Sequence, residues 1–406
     1  MSSVEKILPN GWTLKPLGDI VKLQNGFAFK RSLYKDSGST IVRIKNIKNE
    51  KVKLDDVVRF DLTDYKKDLD QYKILENDIL IAMSGATTGK IGLYKSTDVS
   101  YLNQRVGLFR IKNHALRRYL FYFLSTQVEE NLLKSLGAAQ PNLSSSQINE
   151  METPIPPHEE QKRIVAKIDT LFAKIDKAIS LTEESLKQAK NLLPSAVKKL
   201  FEDGETKGWK KLKFKDFASL RHGHQFRKYD YVDNGIPVVK IGQCPPGNKL
   251  DLTKCNFIDK SRESEFSNDL IFKGDLLMAL TGGTLGKVTW VKDDYGVVVQ
   301  NYRVGNFFTD QKLSSKRFLM YALLSPIFQT LMYSKINVAA QPNIGKEEIE
   351  NLEFILPSLE EQSKVVERLD DLTFKAKQTQ SKFEEQLTYL KNLKSSILSK
   401  AFAGKL

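Results

Sequence analysis

The sequence predicts an α+β chain in which one unit, a mixed domain followed by a long helix, is used twice. Three observations predict it. The chain resembles itself at an offset that drifts only from 197 to 201 residues. Inside each copy the apolar period switches once, from short β-branched runs with turn residues to a helical three- and four-residue repeat. The two helical stretches are similar in length, so each offers the other a matching apolar stripe.

The repeat is read residue by residue. Gly11-Trp12 returns as Gly208-Trp209, Asp19 as Asp216, Leu23 as Leu220, Gly26 as Gly223 and Phe29 as Phe226. Gly38 and Gly235 precede two strand-like runs, Ile41–Ile44 and Val238–Ile241. Asp78–Lys90 (DILIAMSGATTGK) meets Asp275–Lys287 (DLLMALTGGTLGK), with seven of 13 positions identical. Arg105-Val106-Gly107 then meets Arg303-Val304-Gly305, and Ala138-Ala139-Gln140-Pro141-Asn142 meets Ala339-Ala340-Gln341-Pro342-Asn343. Glu159-Glu160-Gln161 meets Glu360-Glu361-Gln362, and the match continues to Phe201 and Phe402. Small drifts of this kind are what loop insertions in a duplicated unit produce.

The first part of each unit, with an amphipathic stretch such as Leu116–Leu133, reads as α+β. After Pro156-Pro157 the stripe Ile164, Ile168, Leu171, Ile175, Ile179, Leu186, Leu193, Val197 and Leu200 is helical. Its partner is Val365, Leu369, Leu372, Phe383, Leu387, Leu390, Leu393 and Ile397. Each helix spans about 42–44 residues, or roughly 65 Å. Pro157 and Pro357 sit just before the helices, where a missing N–H costs little. Pro194 falls inside the first and is expected to kink it or begin a new segment. The stripes could pack on their own domains or on another chain, but their similar lengths favour packing on each other as an antiparallel coiled coil with pseudo-twofold symmetry. Short hinges such as 202–208 fit that arrangement. The expected divisions are a mixed domain over 1–156, a helix over 157–203, a second mixed domain over 204–357 and a second helix over 358–406.

Composition narrows the partner. Lys and Arg number 63 against 49 Asp and Glu in 406 residues, a formal net charge of +14. That field favours polyanions, nucleic acid first and acidic membrane second. Apolar runs such as Ile79–Met83 fall far short of the ~20 residues a span needs. Met1–Trp12 has no apolar core of a secretory signal. The two cysteines, Cys244 and Cys255, suit ordinary thiols in a reducing cytoplasm.

Catalytic motifs are tested and fail. Gly85-Ala86-Thr87-Thr88-Gly89-Lys90 has three residues between its glycines and Ile91 after the Lys, whereas a phosphate loop needs four and a Ser or Thr. The expected role is a tight turn between strands. Ile155-Pro156-Pro157-His158 and Cys244-Pro245-Pro246-Gly247 lack the polar first and aromatic last residues of an adenine-methyltransferase tetrapeptide. His114, His158, His222 and His224 form no zinc-ligand spacing. Glu159-Glu160 opens a helix, where negative charge is favoured by the backbone dipole. No metal and no catalytic group are expected in this chain.

The pattern resembles the specificity (S) subunit of type I restriction–modification enzymes over its full length. The marks are Trp12 and Trp209, Asp78–Lys90 and Asp275–Lys287, and Pro156–Gln161 and Pro357–Gln362. Asn77-Asp78 departs from the usual Gly-Asp that Gly274-Asp275 keeps. The resemblance implies that each mixed part is a target recognition domain for double-stranded DNA. It implies that the helices are a spacer and a dock for two methyltransferase subunits. Those subunits would carry S-adenosylmethionine and methylate adenine at N6. A restriction and motor subunit using ATP and Mg would join through the complex. No cofactor would be bound by this chain.

Lys and Arg would supply salt-dependent affinity through phosphates, and base edges the specificity. The expected contacts combine Arg, Lys, Asn and Gln with aromatics in loops. In the first domain they are Lys30, Arg31, Tyr34, Arg43, Lys45, Asn46, Thr87, Lys90, Gln104 and Arg105. In the second they are His224, Gln225, Arg227, Lys228, Tyr229, Lys240, Gln243, Thr284, Lys287 and Arg303. Positions that match across the repeat, such as Arg105 and Arg303, could equally be scaffold; mismatched ones are favoured as readers, with Arg227, Tyr229 and Gln243 foremost. The expected DNA site is asymmetric. A coiled-coil adaptor is the rival of another class, and absence of salt-dependent DNA binding would favour it. A self-sufficient DNA-modifying enzyme is the second rival, and methylation by this chain alone would favour that.

Overall fold

A computed structural model of the chain describes residues 8–135, 141–204, 206–336 and 342–406. Within the expected motifs, Ala138, Ala139, Gln140, Ala339, Ala340 and Gln341, and Glu205 of the hinge, lie outside the described residues. The chain forms two compact units. One joins Met1–Thr182 to Glu385–Leu406, and the other is Glu183–Glu384. The long helices run His158–Glu202 and Leu359–Phe402, so each unit holds a part of both.

In the first unit, strand Thr13–Pro16 pairs antiparallel with Glu152–Ile155 just ahead of the long helix. This ties the two ends of the mixed domain together. A six-stranded sheet follows the order Leu23–Asn25, Val106–Phe109, Ile79–Ala82, Ile91–Leu93, Glu50–Val52, Ile47–Lys48. A four-stranded sheet follows the order Val58–Phe60, Ser39–Val42, Ser100–Leu102, Lys73–Ile74. The apolar run Ile79–Ala82 shows no alternation because both its faces are covered. Ile79 and Ile81 face the helical layer, with Tyr119, Phe123 and Ile168, whereas Leu80 and Ala82 face Val42, Ile47 and Leu102. A strand buried on both faces reads as a continuous apolar run.

The second unit repeats this plan. Lys210–Lys213 pairs with Glu353–Leu356. One sheet is ordered Ala218–His222, Val304–Thr309, Leu276–Ala279, Val288–Trp290, and the other Asn256–Ile258, Ile236–Val239, Val299–Gln300. The first sheet lacks the two extra strands that Ile47–Val52 adds in the first unit. Their place is taken by Cys244-Pro245-Pro246-Gly247, which keeps a single bridge from Gly247 to Thr289. Two consecutive prolines have no N–H to give a ladder.

The helical stripes are shared between two kinds of neighbour. In the first unit Ile164, Ile168, Phe172 and Ile175 are buried with Leu390, Ile397 and Ala401 and with domain residues Tyr119 and Phe123. The helices run antiparallel there: Arg163 donates to the Leu406 carbonyl at 2.9 Å, and Asp176 meets Lys394 at 2.8 Å. In the second unit Val197, Leu200 and Phe201 are buried with Val365, Leu369, Phe318 and Tyr321. Packing on the partner helix and packing on the domain are thus both realised. Pro194 does not begin a new segment, because the helix is continuous through it. It removes one backbone bond, whereas Val197, Leu200 and Phe201 just beyond it are locked in the core; tertiary burial outweighs that loss.

Candidate nucleic-acid interface

The motif turns are scaffold in both units. Gly85 and Gly89 adopt φ of +76° and +81°, and Gly282 and Gly286 +72° and +79°. The turns join antiparallel strands, Ile79–Ala82 to Ile91–Leu93 and Leu276–Ala279 to Val288–Trp290. Each turn docks on the proline loop of its own unit. Gly85 N–H donates to Pro141 O, and Gly282 N–H to Pro342 O, both at 2.9 Å. The departure of Asn77 from glycine is explained here too. Its φ is +69° and that of Gly274 is +91°, and Asn is among the few side chains that visit this region readily. The next residue is a buried carboxylate in each case. Asp78 accepts from Leu75 N–H at 2.8 Å and pairs with Arg110 at 2.7 Å. Asp275 accepts from Phe272 N–H at 2.9 Å and Asn306 Nδ2 at 2.8 Å.

Parallel pairing assembles one loop-bearing edge in each unit. Ser39–Val42 and Ser100–Leu102 run parallel, so the segments that follow them emerge side by side. Asn103 N–H donates to Val42 O at 3.2 Å, and Gln104 N–H to Phe27 O at 2.8 Å. Thr87 Oγ1 reaches Ile44 O at 3.4 Å. Residues 27–34, 43–46, 85–90 and 103–105 are therefore gathered at one edge. In the second unit Ile236–Val239 and Val299–Gln300 are the parallel pair. Asn301 N–H donates to Val239 O at 3.0 Å, and Tyr302 N–H to His224 O at 2.9 Å. Residues 224–231, 240–243 and 301–303 meet in the same way.

The expected contact residues divide by what their side chains do. Lys30, Arg31, Lys90, Gln104, Arg105, Gln225, Arg227, Lys228 and Lys287 are exposed, and none of these side chains forms an ion pair within the described residues. Tyr229 is exposed as well, at 85%. His224 is exposed, with its ring edge-on to Phe226 and Phe266 at 4.8 and 4.9 Å. Other cations are held within the fold. Lys45 pairs with Asp56 at 2.6 Å. Lys240 Nζ donates to Asn256 at 2.7 Å and lies 4.3 Å from the Tyr231 ring centre. Arg303 Nε donates to Tyr302 Oη at 2.8 Å. The Arg43 Nε and Thr284 Oγ1 are buried, and Tyr34 packs against the cluster of Phe29 and Phe60.

Asn46 and Gln243 are spent on their own loops. Asn46 Oδ1 accepts from Arg43 N–H at 2.9 Å, while its Nδ2 donates to Lys53 O and Asp56 O. Gln243 Oε1 accepts from Lys240 N–H at 3.3 Å, and its Nε2 donates to Lys254 O at 2.8 Å. The mismatch that favoured Gln243 as a reader preserves one loop-closing role with a longer amide. Thr87 likewise gives its hydroxyl to the Ile44 carbonyl.

Electrostatics support the Arg227–Tyr231 loop from beneath. Asp230 Oδ2 accepts from Arg227 N–H at 2.7 Å, and Oδ1 pairs with Arg262 at 2.9 Å. The Arg227 amide first, and then the Arg262 guanidinium, hold its carboxyl below the usual range. Burial pushes the Cys244 thiol up to about 12. Among the described residues no three His, Cys, Asp or Glu side chains form a metal-holding group, and no helix is long and apolar enough to cross a membrane.

Sequence reasoning missed the polar contacts between each domain and its long helix. Arg118 and Tyr122 both reach Asp169, and Arg317 and Tyr321 both reach Asp370. Gln362 accepts from Ser315 N–H at 2.9 Å and donates to Leu313 O and Pro357 O. Gln161 donates to Pro156 O at 2.9 Å. The available signal was identity across the repeat at these positions.

A family model described as the type I restriction modification DNA specificity domain matches the chain twice, over residues 9–188 and 206–389. The specificity subunit of the type I restriction enzyme EcoKI of Escherichia coli (strain K12) is 26% identical, across 98% of this chain and 90% of that subunit. The MjaVIII specificity subunit of Methanocaldococcus jannaschii is 28% identical, across 73% of this chain and 72% of its own. Among solved structures, the HsdS subunit from Thermoanaerobacter tengcongensis aligns with a TM-score of 0.55 at 20% identity, covering 100% of both chains. A chain from work on complex assembly and conformational transition of the type I R-M system aligns at 0.74 and 20% identity, covering 98% of this chain and 100% of that one.

Proposed function

Because this chain belongs to the type I restriction–modification DNA specificity family, we propose that its two units read the two halves of an asymmetric, gapped DNA site. A specificity subunit recognises DNA sequence and is not itself an enzyme. The observation that carries the two-reader proposal is the pair of like-built edges with unlike side chains. Lys30-Arg31-Ser32-Leu33-Tyr34 occupies the place of Arg227-Lys228-Tyr229-Asp230-Tyr231. Exposed cations on each edge supply phosphate affinity. The side chains that differ, with Tyr229 and Arg227 foremost, read base edges.

The long helices act as the spacer between half-sites and as the dock for two methyltransferase subunits. Those subunits would hold S-adenosylmethionine, whose methyl group passes to adenine N6 as the sulfonium leaves as the thioether, and a restriction subunit with ATP and Mg would complete the assembly. Joining two weak readers in one chain makes the second contact intramolecular, which raises affinity without new contacts. Methylome sequencing of a host that expresses this chain with its methyltransferase partner tests the reading. The expected motif has two different half-sites and a fixed gap. An undivided or palindromic motif refutes it.

A further inference from the structure

Each unit joins its mixed domain to its long helix through the same three side chains. In the first unit Arg118 and Tyr122 stand one turn apart on helix His114–Thr126. Both donate to the same oxygen of Asp169. The Arg118 guanidinium lies over the Tyr122 ring, 4.8 Å from its centre. In the second unit Arg317 and Tyr321 stand one turn apart on helix Lys316–Leu324. Arg317 Nε approaches the two Asp370 oxygens at 3.1 and 3.2 Å, and Tyr321 Oη donates to Asp370 at 2.6 Å.

These contacts differ in kind from most of the junction. Apart from Gln362, which bonds Ser315 N–H and Leu313 O at the start of the second helix, the domain meets its helix mainly through apolar side chains, including Tyr119, Phe123 and Ile168 in one unit and Phe318, Phe201 and Leu369 in the other. Apolar contact is non-directional and tolerates rotation. Hydrogen bonds demand a narrow range of distance and angle, and the guanidinium is a rigid planar fork. A carboxylate held by two side chains on one helical face therefore fixes that face's angle to the long helix. The trio is retained in both copies, whereas the loops at the reading edge have diverged. Retention there and divergence at the edge separate what orients a domain from what it reads.

We infer that the two trios are angular anchors that make the complex selective for one gap length between half-sites. The inference rests on the two-half-site reading proposed above. Adding one base pair to the gap moves a half-site by about 3.4 Å and turns it by about 35°, given a turn of 10–10.5 base pairs over 34–36 Å. A domain held at one angle rejects that displacement, and a domain free to pivot tolerates it. Arg118, Tyr122, Asp169, Arg317, Tyr321 and Asp370 are thus positioning residues with no part in base contact.

The test uses the full chain with its methyltransferase partner. Methylation rates are measured on duplexes bearing the native half-sites at the native gap and at gaps one base pair longer and shorter. In Asp370→Ala the ratio of native-gap to altered-gap rates is expected to fall at least tenfold, while penalties for base changes inside either half-site stay as in the wild type. Tyr321→Phe, which keeps the ring and removes the hydroxyl that bonds Asp370 and Thr373, is expected to lower the ratio by an intermediate amount. If Asp370→Ala does not assemble, Tyr321→Phe decides in the same way. An unchanged ratio in a variant that methylates the native site overturns the anchor. So does equal loss of gap and half-site discrimination, which marks general loosening. A wild-type motif with no gap overturns the two-half-site reading as well, whereas a fixed wild-type gap that every variant keeps overturns the anchor alone.

Discussion

Neutralising Arg227 and Lys228 together should change how DNA affinity depends on salt, by an amount that can be stated beforehand. Both side chains are exposed on the edge of the second unit, and the loop is held from beneath by Asp230 through the Arg227 amide and Arg262. Their charges are free for phosphates, and removing them leaves the loop's own supports intact. Each phosphate contact contributes about −0.9 to the slope of log K against log salt, so Arg227→Gln with Lys228→Gln should make the slope shallower by about 1.8. Between about 50 and 200 mM salt the double variant should then lose about twelvefold less affinity than the wild type. Fluorescence anisotropy with a labelled duplex, titrated at several salt concentrations, measures this. Lys45→Gln is the internal control. Its ammonium already pairs with Asp56 at 2.6 Å, so its slope change should be under half that of one free contact. A change below about 0.5 for the double variant would refute the assignment of this edge to DNA phosphates.

Three further outcomes are expected. Asp275→Ala leaves the Phe272 N–H and the buried Asn306 amide without their acceptor; at about 1–3 kcal/mol for each orphaned group the loss should be about 2–6 kcal/mol, read from denaturant unfolding, and a loss below about 1 kcal/mol contradicts it. Asn49 and Glu50 form a two-residue hairpin turn at φ of +51° and +59°, a conformation costing most L residues about 1–2 kcal/mol, so Glu50→Gly should raise the unfolding midpoint, and a lowered midpoint would show that the glutamate side chain contributes more than the strain costs. Burial pushes the Asp370 carboxyl up, but the bonds from Arg317 and Tyr321 outweigh it and hold it below its ordinary value. The stabilisation is therefore present above the ordinary carboxylate range and is lost as pH falls through the lowered value; Asp370→Asn should remove that part of the acid dependence in stability measurements below about pH 4, and an identical acid limb in both proteins would exclude it.

The repeat announced the architecture because duplication preserves what the fold requires. Asp78 and Asp275 match because a buried carboxylate must close the same turn. Gln161 and Gln362 match because each bonds the carbonyl that precedes its helix. Both are satisfied over a few residues, and such needs leave a pattern in the chain. The loop-bearing edge proposed to read DNA was only partly legible for the opposite reason. Exposed Lys, Arg and Tyr were found by type, but type did not separate Gln243 and Asn46, which close their own loops, from Arg227 and Lys228, which face solvent.

The sequence by itself determined that the chain is a duplicated α+β unit with two long amphipathic helices, that it is strongly basic, and that it resembles DNA specificity subunits. Periodicity and repetition are local or translational properties, and a linear text carries them. Only the tertiary structure decided that Pro194 stays within a continuous helix, that each apolar stripe serves both a partner helix and a domain, and that Arg118 and Tyr122 meet Asp169 as Arg317 and Tyr321 meet Asp370. The Tyr–Asp contacts join side chains about 50 residues apart. Their contact is set by how the domain packs on its helix, which no local pattern records.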